Sequence, residues 1–183
     1  GQLLIDQWHD ALPTTYVADT YLPGGLLGLQ VEYYEGGGMA YIRLWWEKVE
    51  VYPDWKGEYF NNPALQGAPV LVRNDANVDF NWGYGSPGPG IPADNFSVRW
   101  TRNLYFSAGT YHIYVHVDDG VRLWVDGRLA IDQWHDGPPT TYATQTYLTE
   151  GYHTLRMEYY EHTGGALARL WWEKTETYPD WKG

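Results

Sequence analysis

The residues in this chain best placed to do chemistry are carboxylates. Asp118 and Asp119 are adjacent and are followed by Gly120. Two neighbouring carboxylates repel each other, and a divalent cation relieves that repulsion, so the pair is a candidate metal site for calcium, which prefers oxygen ligands. The alternative is a loop whose aspartates accept backbone amides ahead of a hairpin. Glu158 and Glu161 form a second carboxylate pair, of the residue type used in glycoside hydrolysis; surface pairing with Arg156 or Arg169 is the alternative. His112 and His116 fall on one face of an alternating segment and would need a third ligand to hold a metal; otherwise they are solvated. Trp134-His135-Asp136 is either part of a polar pocket or a packing Trp with an Asp that opens the Gly137-Pro138-Pro139 turn.

Two other patterns fail on their own chemistry. Gly83-Tyr84-Gly85-Ser86-Pro87-Gly88 matches a dinucleotide loop, but Pro87 and Pro89 bar the helix that such a loop must open. Asp75-Ala76-Asn77-Val78-Asp79 begins like an EF-hand, but Phe80 stands where the glycine belongs and Ser86 where the bidentate glutamate belongs. Alternation would place Asp75, Asn77 and Asp79 together on a solvated strand face. There is no nucleophile elbow, phosphate loop or zinc-protease motif, so a non-enzymatic protein is expected. Asn95-Phe96-Ser97 is a glycosylation triplet, with Asn95 as acceptor.

The elements that must position these groups read as strands. Ile113, Val115 and Val117 alternate with His112, Tyr114 and His116, the period of a half-buried strand. Leu155, Met157 and Tyr159 alternate with Arg156, Glu158 and Tyr160, and Ala168, Leu170 and Trp172 with Arg169, Trp171 and Glu173. Val78, Phe80 and Trp82 do the same. Asp126-Gly127 between apolar runs marks a hairpin turn, because both residues tolerate positive φ. Gly83 to Pro92 is rich in Gly and Pro and reads as a long loop. No stretch carries a helical period. Eleven Trp and seventeen Tyr suit pleated surfaces, and 21 Gly and 11 Pro supply turns. The fold class expected is all-β, an antiparallel sandwich or barrel.

The net charge of -11 disfavours nucleic acid and anionic lipid as partners. No apolar run approaches the roughly 18 residues that span a membrane, so no membrane insertion is expected. With no cysteine, disulfides and thiolate metal sites are excluded.

The chain also repeats itself. Gly1 to Gly57 lies over Gly127 to Gly183 at a constant offset of 126, without a gap and with 36 of 57 positions identical. Such a period exceeds that of solenoid units and is the size of a domain. Gly1 aligns with the second residue of the Asp126-Gly127 turn, so the first copy lacks the strand equivalent to Val121–Val125, and its first strand, Leu3 to Ile5, lacks its nearest partner. A half-sandwich of 57 residues is too small to close a core and exposes an unpaired edge. The expected organisation is the C-terminal half of a preceding repeat over residues 1–52, a complete repeat over 53–178, and the start of the next at 179–183. Pro53 and Trp55 leave almost no linker between units.

Ordered motifs make the complete unit resemble a known family. They run from Trp55-Lys56-Gly57-Glu58-Tyr59-Phe60 through Val78-Asp79-Phe80-Asn81-Trp82-Gly83, Asp94-Asn95-Phe96-Ser97-Val98-Arg99-Trp100 and Val117-Asp118-Asp119-Gly120-Val121-Arg122-Leu123-Trp124-Val125-Asp126-Gly127 to Glu158-Tyr159-Tyr160-Glu161. Over residues 54–177 the chain resembles the protective-antigen domain family of the fourteen-kilodalton type, a β-sandwich found in anthrax protective antigen, yeast flocculins, epithelial adhesins and some glycosidases. Residues 1–52 resemble its C-terminal part. The resemblance implies that Asp118 and Asp119 are joined by a cis peptide and bind calcium, and that a second loop near Glu161, His162, Thr163, Gly164 and Gly165 completes a sugar site. That loop is short and contains no Asn or Asp. The expected function is a tandem-repeat unit of an extracellular or cell-surface fibre or adhesin stalk, whose partners are neighbouring repeats or copies of itself. The alternatives are a calcium-dependent glycan-binding module and an accessory domain of a secreted glycosidase.

Overall fold

Three of the alternating segments become central strands of two sheets, and the one at Val78 to Trp82 forms an edge strand. The computed structural model of the protein describes residues 2–175, which divide into two compact units, one reaching Val49 and the other starting at Glu50. The second unit holds ten strands: β1 (Trp55–Phe60), β2 (Leu71–Asp75), β3 (Asp79–Gly83), β4 (Phe96–Phe106), β5 (Gly109–Asp118), β6 (Gly120–Val125), β7 (Arg128–Gln133), β8 (Thr140–Leu148), β9 (Gly151–Glu161) and β10 (Ala166–Lys174). A six-stranded sheet runs β2-β1-β4-β9-β6-β7 and a four-stranded sheet runs β3-β10-β5-β8, with every pairing antiparallel. The all-β sandwich expected from the sequence is the fold found, and the Gly83 to Pro92 loop separates β3 from β4.

The core forms where the two inner faces meet. Val98 and Trp100 of β4, Leu123 of β6 and Met157 and Tyr159 of β9 are fully buried against Ile113, Val115 and Val117 of β5. Phe80 and Trp82, two residues apart on β3, stack on each other at 4.8 Å and on Trp100 at 5.6 and 6.4 Å. Each buried aromatic removes roughly 150–250 Å² from water, worth a few kcal/mol at about 25 cal/mol per Å². The β6–β7 hairpin turns through Asp126 (φ 50°) and Gly127 (φ 76°), the left-handed pair that the Asp-Gly dipeptide predicts.

Asp75 departs from the sequence expectation. It ends β2 in the six-stranded sheet, whereas Asp79 begins β3 in the other sheet, so the three polar residues do not share a strand face. Asp75 is 5% exposed and accepts hydrogen bonds from the Tyr59 hydroxyl (2.6 Å), the Trp100 indole (2.8 Å) and Arg73 Nε (2.6 Å). Gly57 makes room for it, since a Cβ there would collide with the Asp75 carboxylate. Asn77 and Asp79 are exposed as expected, with Asp79 paired to Arg169 at 2.8 Å.

In the first unit, residues 2–49 carry no helix or strand and every one of them is exposed, so the strand expected at Leu3 to Ile5 is absent. The pairing pattern of the second unit gives the reason. There β7 pairs with β6, β8 with β5, β9 with β4 and β6, and β10 with β3 and β5. None of β7–β10 pairs with another of the four, so a copy of that half has no ladder to form within itself. The expected boundary at residues 179–183 lies outside the described residues.

Candidate functional site

The site is built at the end of the sandwich where β5 passes into β6. Asp118 ends β5, Gly120 begins β6, and the Asp118–Asp119 peptide bond between them is cis, as the family resemblance implies. Gly120 is required by packing: a Cβ there would enter the Tyr160 ring. The Asp119 carboxylate accepts the backbone amides of Gly137 and His162, both at 3.0 Å, one on each oxygen. It thereby ties the loop after β7 and the loop after β9 to the turn, and each oxygen keeps a further lone pair. The Asp118 carbonyl accepts the Tyr159 hydroxyl. The Asp118 carboxylate is half-buried and accepts no hydrogen bond from the described residues. Burial, then the neighbouring Asp119 charge, pushes its carboxyl up.

Glu161 closes the inner side. It is the last residue of β9, opposite Phe96 of β4, and is fully buried. Its Oε2 lies 3.1 Å from the Tyr159 hydroxyl and its Oε1 has no hydrogen-bond partner. Burial, followed by the charges of Asp119, Asp118 and Asp94, pushes its carboxyl up to about 7, against the relief given by Tyr159. The loop that follows is pinned from two more directions. Asp94 Oδ1 accepts the Gly164 amide at 3.1 Å, and the His162 carbonyl accepts the Asn95 amide at 3.0 Å. Asp136 accepts the Tyr160 hydroxyl at 2.6 Å and His162 Nδ1 at 2.7 Å. Those bonds, Tyr160 first, hold the Asp136 carboxyl low, and the bond to Asp136 holds His162 high. Trp134 rests on Tyr160 at 4.7 Å, with the Arg122 guanidinium 4.5 Å above its ring. Thr163 is exposed at the tip of the loop.

The structure therefore gathers Asp118, Asp119, Glu161, His162, Thr163 and Gly164 at one end of the domain. Asp136, weighed from the sequence as part of a polar pocket with Trp134 and His135, joins them through Tyr160 and His162, and so does Asp94, which was not proposed as a site residue. Asp136 had a signal in the repeated Trp-His-Asp triplet at Trp8-His9-Asp10. The carboxylate pair Glu158 and Glu161 is not a hydrolytic pair. Three residues apart on one strand, they face opposite sides of the sheet, and Glu158 binds Arg99 Nε at 2.9 Å. Nor is Glu161 a surface ion-pair partner of Arg156 or Arg169, because it is inside. His116 bonds Thr141 at 3.0 Å and His112 lies beside Tyr114. Asn95 is exposed at φ 58°, a conformation that Asn tolerates.

Among the described residues, no group of three or more His, Cys, Asp or Glu side chains is arranged to hold a metal ion by itself. The acidic cluster is instead an open donor set: a free Asp118 carboxylate, an Asp119 with spare lone pairs and a buried Glu161 oxygen without a partner. That chemistry fits a hard cation that takes its remaining oxygens from carbonyls, water or a ligand.

Comparisons with known proteins agree with this architecture. The chain is 44% identical over 119 residues to the anti-sigma-I factor RsgI3 of Acetivibrio thermocellus, an alignment covering 64% of this chain and 18% of the relative. It is 30% identical over 104 residues to an alpha-agarase of Alteromonas agarilytica, covering 56% of this chain and 7% of that enzyme. A solved structure of an anti-sigma factor domain-containing protein is 41% identical with a TM-score of 0.63, covering 66% of this chain and 43% of that one. This chain thus spans less than half the length of each of these relatives. The PA14 domain model matches residues 54–180, which takes in all ten strands and the acidic turn, and the chain belongs to the PA14 domain family.

Proposed function

We infer that this chain is a non-enzymatic carbohydrate-binding module of a longer extracellular or cell-surface protein, with its binding end at the cis Asp118–Asp119 turn. The observation that carries the reading is the convergence there of Asp118, Asp119 and the buried Glu161, with an unpartnered Glu161 oxygen. Repulsion among these groups makes the site hungry for positive charge. Asp118 and Asp119 would hold a calcium ion, with Glu161 behind them. The ion would supply coordination for sugar hydroxyls, while His162, Thr163 and Gly164 line the approach. The similarity to an agarase, an enzyme named for a polysaccharide, fits a module carried beside other domains. A glycan array probed with the chain in calcium and in chelator tests the reading. Binding to a defined set of glycans that disappears in chelator is expected, and no calcium-dependent glycan would refute it.

The constant offset of 126 and the near-absence of linker favour a second reading alongside the first, in which such units form a linear array at the cell surface. Electron microscopy of the parent protein would show beads at a regular spacing; their absence would remove this reading.

A further inference from the structure

The outer face of the four-stranded sheet carries aromatic rings that the acidic turn does not use. Alternation sends Arg169, Trp171 and Glu173 of β10 to that face, beside His112, Tyr114 and His116 of β5. Trp171 stands opposite Tyr114 in the register, and their rings stack at 5.2 Å and 11°. His112 adds a third ring 6.2 Å from Tyr114. Trp171 is nonetheless 39% exposed, whereas the next residue, Trp172, packs against the core. The contact with Tyr114 fixes the indole without covering it.

On the β3 side, Trp171 borders an open groove of about 330 Å³, lined also by Asn77, Val78, Asp79, Arg169 and Leu170. That is within the size range of small-ligand sites. The Leu170 amide donates to the Val78 carbonyl at 2.9 Å, and Arg169 Nε donates to Asp79 at 2.8 Å. These two charges of the lining neutralise each other, so an ionic ligand gains little there. What the groove offers is a flat electron-rich ring beside hydrogen-bond donors and acceptors. A pyranose has the matching pattern, with polarised C–H bonds on its face and hydroxyls around its rim. One indole presents at most about 250 Å², well short of the roughly 800 Å² that each partner buries in a stable protein interface.

The repeat gives an independent signal. Residues 169–174 recur without change at 43–48, including the exposed Arg169, Trp171 and Glu173. On β9 the outward Tyr152, Thr154 and Arg156 are replaced in the copy by Leu26, Gly28 and Gln30. The outer face of β10 is thus kept where packing does not demand it.

We propose that this groove is a second carbohydrate site, for a neutral polysaccharide with a pyranose ring laid on Trp171 and its hydroxyls bonded to Asp79, Arg169 and Asn77. The proposal rests on the carbohydrate reading for its ligand class, but the groove needs no calcium. Trp171 is four residues along β10 from Leu167, the register partner of Asp118. Four strand residues cover about 14 Å, a distance that one polysaccharide chain can span.

The test is affinity electrophoresis of the full chain through native gels cast with agarose, xylan, galactomannan or mixed-linkage β-glucan, all in chelator. A single indole with a few hydrogen bonds holds a ring at a Kd of roughly 1 mM, which slows migration through a polymer but does not survive washing on an array. At least one polymer should slow the wild type. Trp171→Ala should migrate as if no polymer were present, and Trp171→Phe should fall between the two. Tyr152→Ala removes an exposed ring from the other sheet and should be slowed like wild type. Asp118→Asn should also be slowed like wild type, so failure of the calcium site and failure of the groove are separate results. No retardation of wild type by any of these polymers, undiminished retardation of Trp171→Ala, or equal loss in Tyr152→Ala would overturn the proposal. So would self-association by light scattering that Trp171→Ala abolishes, which would make this face a protein contact.

Discussion

Replacing Glu161 by glutamine should flatten the pH dependence of stability between pH 5 and 8. The folded protein holds the Glu161 carboxyl at about 7, against an ordinary value of 4.5. A carboxyl raised on folding binds its proton more tightly in the folded state. Its favourable contribution is therefore complete below pH 4.5 and is lost as the pH rises through 7. A difference of that size corresponds to at most about 3.5 kcal/mol, at about 1.4 kcal/mol per pH unit. Glutamine keeps an oxygen for the Tyr159 hydroxyl, fills the same space and does not titrate. The assay is urea unfolding followed by tryptophan fluorescence at half-unit steps of pH, in chelator, for wild type and Glu161→Gln. The difference between the two isolates this group from the other carboxylates. Glutamine should gain on wild type steadily from pH 5 to 8, by roughly 1–3 kcal/mol at the top. Parallel curves would show that Glu161 is ionised throughout or that its surroundings are wetter than described, and would refute the electrostatic picture of the site.

Other consequences follow from the same contacts. Asp75→Ala removes the acceptor shared by Tyr59, Trp100 and Arg73 and should cost about 3–5 kcal/mol in urea unfolding, as for breaking a buried ion pair, with Asp75→Asn costing less. Gly120→Ala drives a methyl into the Tyr160 ring and should cost about 1–3 kcal/mol or more, with the Trp134 environment changed in near-ultraviolet circular dichroism. The bond to Asp126 holds His153 high, so this pair stabilises below pH 6.5 and fades as the pH rises through the raised value. Because Asp126 is half exposed, the cost of His153→Ala relative to wild type should fall between pH 6 and pH 9 by well under about 1 kcal/mol.

Most of the fold could be read from local chemistry. The period-two runs became β5, β9 and β10, and Asp126-Gly127 became the hairpin, because each depends on residues close together in the sequence. The errors arose where distant residues decide. Asp75 to Asp79 looked like one polar strand face, yet the chain changes sheet at Ala76–Val78, and that change buries Asp75. Glu161 looked like a surface acid, but β9 is flanked by β4 and β6 and its end lies under the Asp118–Asp119 turn. Asp94 and Asp136 reach the site through loops that carry no periodic signal. Leu3 to Ile5 has the text of β7 without the partner, so the repeat alignment implies a strand there that hydrogen bonding does not sustain.

The most direct test of the functional reading is calorimetric titration of the full chain with calcium, beside Asp118→Asn. This variant is chosen because the Asp118 carboxylate carries no hydrogen bond from the described residues, so the fold should persist while the charge is lost. The account predicts a saturable heat of about one calcium per acidic turn in the wild type, strongly reduced in the variant. Equal heats in the two proteins, or none in the wild type, would contradict it.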